Sequence, residues 1–181
     1  MKHATTLNTN TLVDENVALI EQGVELISTI DGAVYRRNMH DLFTSGVGKH
    51  FRHVLDFYDR LTSGYRIVVD YDERRRDERV ETDPQYAVER ARSACAALRH
   101  MAEAAHDDES LGVRVRVEVR DREGRPIETD STLDRELDVL AAHTIHHYAL
   151  IAQLLRIQGI EVDHSFGVAP STRRFLAAQS T

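Results

Sequence analysis

The sequence predicts an all-α fold, a four-helix bundle with a small β-hairpin set between its third and fourth helices. Three observations carry this. Four segments repeat apolar residues at steps of three and four, the period of a helix with one buried face. Cap residues, a proline and glycines stand where those helices should start and stop. One stretch breaks the pattern: Val113, Val115, Val117 and Val119 alternate with Arg114, Arg116, Glu118 and Arg120, which is the period of a half-buried strand.

The first helix reads from about Thr11 to Ile30, with Val13, Val17, Ile20, Val24, Ile27 and Ile30 on one stripe. Thr11, with Asp14 three residues on, reads as its cap, and Asp31-Gly32 as its end. The second runs from about Met39 or Ser45 to Leu61, with Val47, Phe51, Val54, Tyr58 and Leu61 on its stripe and a stop at Ser63-Gly64. The third opens at Asp83-Pro84, a cap followed by proline at the first helical position. Its stripe of Ala87, Ala91, Ala94, Leu98, Met101 and Ala105 is rich in small residues that let a neighbour approach.

After the valine strand, Arg122-Glu123-Gly124-Arg125 reads as a turn from which Pro126 to Thr129 returns as a partner strand; the alternative is a plain long loop. The fourth helix starts near Ser131, with Asp134 three residues on, and runs to about Gln158, with Gly159 ending it. Its stripe is Leu133, Leu137, Leu140, Thr144, Tyr148, Ile151 and Leu155. Asp70 to Val80 reads as a charged connection, and Phe166, Val168 and Phe175 as tail residues that pack back on the bundle. The organisation expected is one domain over 1–181, with a bundle core of about 11–159 and a C-terminal tail of 160–181.

Composition excludes several classes. With 41% hydrophobic and 29% charged residues the chain has a globular balance rather than a disordered one. No apolar run approaches the ~20 residues of a membrane helix, and Met1 to Asn10 is polar, unlike a secretory signal. A single cysteine, Cys95, cannot form an internal disulfide, and it falls in the alanine-rich stripe, where a core role is expected. A cytoplasmic location without membrane attachment is the expectation. The net charge of −7 offers no basic face for nucleic acid. The basic triplet Arg74-Arg75-Arg76 is embedded among Asp72, Glu73, Asp77 and Glu78 and reads as a solvated loop.

Ten histidines are the compositional oddity. In the fourth helix His143 and His147 are four apart and share a face, on or beside the apolar stripe, while His146 is lateral. In the second helix His50 and His53 are three apart; the wheel turns His50 further inward and leaves His53 at the stripe's edge. A histidine on an apolar face is commonly a hydrogen-bonded core residue. Several imidazoles buried together are costly, however, because each ring carries two polar nitrogens, and one shared cation satisfies a nitrogen of each. Metal sites in bundle cores are built from side chains on facing helices.

At these residues the sequence resembles the DinB/YfiT-like family of metal-dependent four-helix-bundle proteins. Two stretches carry the likeness, Val47 to Asp56 (VGKHFRHVLD) and His143 to Ile151 (HTIHHYALI). The resemblance implies a DinB-like bundle with one divalent ion held by one histidine of the second helix and an HxxxH pair of the last. Matched by position, the ligands fall on His53, His143 and His147, with His50 as a substitute or neighbouring group. It further implies a metal-dependent hydrolase or a low-molecular-weight thiol S-transferase, and a homodimer, to which the alanine stripe and the valine ribbon would lend surface. The hairpin departs from a bare bundle.

Imidazole donors suit zinc or nickel first, with iron or manganese as alternatives. Three neutral imidazoles leave the ion its full charge and an open position, at which it can act as a Lewis acid on water or hold a thiol as thiolate. No catalytic base is assigned. Asp56 lies off the core face; it is a candidate base, but it reads first as a surface carboxylate or a partner of the ligands. The alternative is a non-catalytic bundle that binds a metal or a small ligand in a structural or sensing role.

Overall fold

The computed structural model describes residues 2–38, 45–64, 68–107 and 115–179. In chain order the elements are α1 (Lys2–Thr29), α2 (Gly32–Arg36), α3 (Val47–Gly64), β1 (Val69–Asp70), α4 (Glu78–Thr82), α5 (Pro84–Asp107), β2 (Val115–Arg120), β3 (Pro126–Ser131), α6 (Leu133–Ile157) and α7 (Pro170–Gln179). The fold is mostly helical. The long helices α1, α3, α5 and α6 carry the expected apolar stripes, and among the described residues no helix is long and apolar enough to cross a membrane.

α1 and α3 each pack against both α5 and α6, so four helices enclose one core. Val17 and Ile20 of α1, Val54 and Leu61 of α3, Leu98 and Met101 of α5, and Leu140 and Ile151 of α6 all lie in it. The alanine stripe is part of this core: Ala87, Ala91 and Ala94 are buried within the chain itself. Those three alanines therefore offer no free surface for a second copy. A polar knot ties three helices at the centre. The Tyr58 hydroxyl donates to Asn16 Oδ1 at 2.8 Å and meets Thr144 Oγ1 at 2.9 Å, and Asn16 Nδ2 donates to the Leu12 and Leu137 carbonyls.

Several boundaries differ from expectation. α1 begins at Lys2, so Thr11 lies inside the helix and does not cap it. The extension is docked by Thr9, whose hydroxyl donates to Asp134 in the first turn of α6. α1 ends at Thr29, just ahead of the expected Asp31-Gly32, and Asp31 also caps α2 by accepting from the Ala33 N–H at 2.6 Å. α6 is capped by Thr132, which accepts from the Arg135 N–H, rather than by Ser131, whose hydroxyl donates to Glu136 instead. At α5 the Asp83 carboxylate accepts from the Gln85 and Tyr86 N–H groups, as the Asp-Pro signal requires. α3 starts at Val47, and Met39 lies outside the described residues.

The hairpin is present: β2 and β3 pair antiparallel from Val115↔Ser131 to Arg120↔Pro126, with Gly124 at φ 78 in the turn. Val113 lies outside the described residues. An unexpected third strand, β1, pairs parallel with β2 through Val69↔Val117, so the charged connection is anchored to the hairpin at one end. It also contains the short helix α4, which buries Val80. In the tail Phe166 stacks on Tyr148 at 4.6 Å between centroids and is buried, but Phe175 is exposed.

Candidate metal centre

The buried stripes of α3 and α6 face each other, and the histidines flank them. On α3, Phe51, Val54 and Tyr58 are buried while His50 and His53 are half-buried; on α6, Thr144 and Tyr148 are buried while His143 and His147 are half-buried. His146 is exposed, in keeping with its lateral place on the wheel.

His53, His143 and His147 lie together: one ring nitrogen of each falls within 4.8 Å of the others, so that the three could hold a metal ion. Ring centroids are 5.0 Å apart for His53 and His143, 4.6 Å for His53 and His147, and 4.5 Å for His143 and His147. Nitrogen ligands around one tetrahedral ion stand roughly 3.3 Å apart, a spacing that falls within the 4.8 Å bound.

His50 stands beside the group. Its Nδ1 meets His147 Nδ1 at 2.9 Å, and its Nε2 meets Ser45 Oγ at 2.9 Å. One nitrogen of each hydrogen-bonded imidazole pair must donate and the other accept. His147 Nδ1 is thus occupied, leaving its Nε2 for an ion. His143 Nε2 is buried and has no hydrogen-bond partner. A buried polar atom without a partner costs about 1–3 kcal/mol, and the His143 ring also stands 5.0 Å from His53 and 4.5 Å from His147 between centroids.

Electrostatics prepare these rings as neutral donors. Burial pushes the His53 pKa down to about 4, assisted by the neighbouring His143, Arg74, Arg52 and His50. Burial likewise takes His147 to about 3, with the other histidines adding to it, and lowers His50 and His143. Neutral imidazole is the form that binds metal.

Aromatic residues close one side. Phe57 packs on His143 at 4.3 Å and on His53 at 5.0 Å, and Tyr71 stacks on Phe57 at 5.1 Å. The guanidinium of Arg74 lies over the same Phe57 ring, 4.9 Å from its centroid. Phe57 follows His53 by one helical turn, so its place was readable from spacing. Arg74 and Tyr71 come from the connection after β1, where no periodicity marks them.

Asp56 corrects another expectation. It is not a surface carboxylate: it is 6% exposed and paired with Arg52 at 2.8 Å. Arg52 also reaches Glu81 at 2.5 Å. Cys95 is buried and burial pushes its thiol upward, the core role expected of it. A separate concavity of about 400 Å³ between α1 and α5, lined by Asn10, Val13, Asp14, Arg99, Ala102 and Glu103, contains none of the histidines.

Compared with protein-family models, with curated proteins and with solved structures, the chain matches none.

Proposed function

We propose that this chain is a metal-binding bundle related to the DinB/YfiT-like proteins it resembles, in which His53, His143 and His147 hold one divalent ion. Zinc and nickel suit three imidazoles best, with iron and manganese as alternatives. The observation that carries the reading is the buried, unpartnered Nε2 of His143 beside two further imidazoles kept neutral by burial. Such an ion would act as a Lewis acid and could hold a thiol as thiolate. The reaction proposed is metal-dependent hydrolysis or thiol S-transfer in the cytoplasm. This chain's own contribution is to hold three rings neutral, to fix His147 through His50, and to wall one side of the site with Phe57 and Tyr71.

A second reading, a non-catalytic bundle with a structural or sensing metal, is favoured by one observation. Asp56, the acid nearest His53 on α3, is engaged by Arg52 and not by an imidazole, which leaves acid–base chemistry without an assigned residue. Metal analysis of protein purified without an affinity tag, followed by a screen of thiol cosubstrates, separates the two. One ion per chain, lost in His143→Ala, is expected; full metal content in that variant sinks the site.

The homodimer stays part of the proposal. Val119 and Ile127, cross-strand partners on the hairpin, are 43% and 47% exposed. They form an apolar surface that a second copy of the hairpin would cover. Light scattering at high micromolar concentration should give twice the chain mass, and a monomer would remove the dimer.

A further inference from the structure

We propose that Arg74 is the anion-recognition residue of the metal centre, and that the ligand is a small molecule carrying a metal-binding donor together with a carboxylate or another oxyanion. This rests on the metal reading above and names the class of molecule it takes.

Arg74 is out of keeping with its surroundings. Its sequence neighbours include Asp72, Glu73, Asp77 and Glu78, yet among the described residues no carboxylate hydrogen-bonds to it or lies in ion-pair contact with it; only the charge of Asp56, itself paired with Arg52, is felt from nearby. Arg52, Arg79, Arg90 and Arg125 each pair with a carboxylate. Arg75 and Arg76 are exposed, as a solvated charge run would be, whereas Arg74 is half-buried. Its Nε is buried and has no hydrogen-bond partner. A desolvated guanidinium donor with nothing to donate to is costly, and a ligand oxygen is the partner that would relieve it.

The loop presents the residue in place. Asp70 Oδ1 accepts from the Asp72 and Glu73 N–H groups, the Arg74 N–H donates to the Asp72 carbonyl at 3.0 Å, and Tyr71 stacks on Phe57. Arg76 takes φ 50, a left-handed conformation that non-glycine residues adopt at a cost. The Arg74 guanidinium lies over Phe57, the ring that also packs on His143 and His53.

Charge supplies the remaining argument. The Arg74 guanidinium lies over the Phe57 ring that packs on both His53 and His143. A divalent ion on those imidazoles would be repelled by this guanidinium, because like charges in a poorly solvated site oppose each other strongly. An anionic group bridging ion and guanidinium turns this repulsion into two attractions. Arginine's planar fork takes a carboxylate or phosphate by two parallel hydrogen bonds.

The test uses cobalt(II)-loaded full-length protein, whose visible bands report the metal and whose near-ultraviolet charge-transfer band reports a bound thiolate. Mercaptoacetate is compared with mercaptoacetamide, its neutral counterpart of nearly the same shape, in wild type, Arg74→Met and Arg74→Gln. Circular dichroism checks that each variant is folded. Wild type should prefer the acid, and both variants should lose about tenfold or more of that preference while keeping cobalt stoichiometry and amide affinity. Competition by acetate and by inorganic phosphate then tells which oxyanion depends on Arg74. An acid-over-amide preference unchanged in both variants, or absent from wild type, overturns the proposal. Failure of cobalt to give its visible bands at all would instead bring down the metal reading, and this inference with it.

Discussion

His50 and His147 meet nitrogen to nitrogen, Nδ1 to Nδ1 at 2.9 Å, with Ser45 Oγ on the far nitrogen of His50. The chain from Ser45 through His50 to His147 is the kind of outer partner that fixes the tautomer and ring orientation of a metal ligand. His50 stands outside the three-ring group, in the place from which it could orient His147. In calorimetric titration with Zn²⁺ and Ni²⁺, His50→Ala should bind about 10- to 100-fold more weakly. His53→Ala and His147→Ala should lose the site, and His146→Ala should bind as wild type does. Abolition in His50→Ala with binding intact in His53→Ala would exchange the roles of the two residues.

The depressed histidine pKa values make the metal-free protein acid-sensitive. Unfolded histidine titrates near 6.5, whereas folded His53 and His147 titrate near 4 and 3. Between those limits the unfolded chain binds more protons, so stability rises with pH across that window. It is fully present above about 6.5 and is lost as pH falls toward 4 and below. Urea midpoints of chelator-treated protein should fall steadily from pH 7 to pH 4, and the slope should be shallower in His53→Asn. An equal slope in that variant would assign the acid sensitivity to other groups.

The knot around Tyr58 joins α1, α3 and α6 through buried hydrogen bonds to Asn16 and Thr144. Tyr58→Phe keeps the ring and removes the hydroxyl, which leaves the buried Asn16 Oδ1 without its donor. The expected loss is about 1–3 kcal/mol of stability, read as a lower urea midpoint with an unchanged denaturant slope. Zn²⁺ affinity should be little altered, since the hydroxyl faces Asn16 and Thr144 rather than the imidazoles.

What the sequence disclosed tracks where periodicity exists. The stripes of α3 and α6 were legible because Val47 to Leu61 and Leu133 to Leu155 repeat at helical steps, and all of those stripe residues are buried. The same periodicity placed His143 and His147 on one face. It ranked His50 inside His53, but a wheel drawn for one helix does not say where the facing helix lies. His53 is in ring contact with both His143 and His147, while His50 meets His147. The start of α1 was hidden because its first turns carry no apolar stripe and Thr9 is tied to Asp134, far along the chain. β1 is two residues long and pairs with a strand distant in sequence, so no local pattern could announce it. Arg74 was indistinguishable from Arg75 and Arg76 because the difference between them is made by Phe57 and the turn of the loop.

Removing the metal separates a structural ion from a functional one. A structural ion would be needed for folding itself, as where the chain has too small a core to fold alone. Here four long helices enclose a continuous apolar core running from Val13 to Leu155 that does not depend on the imidazoles. The rings lie at the edge of that core and are half-buried. Chelation should therefore leave the helical circular dichroism spectrum intact at room temperature. It should still lower the melting temperature, because an ion that binds the folded chain alone stabilises it by mass action. At free ion about 1,000 times Kd that amounts to ~4 kcal/mol, roughly 8–16 °C for a domain of this size. The shift should vanish in His143→Ala, whose apo melting point should equal or exceed that of apo wild type because the orphaned Nε2 is gone. Loss of helicity on chelation would make the ion structural and remove the grounds for an open coordination position.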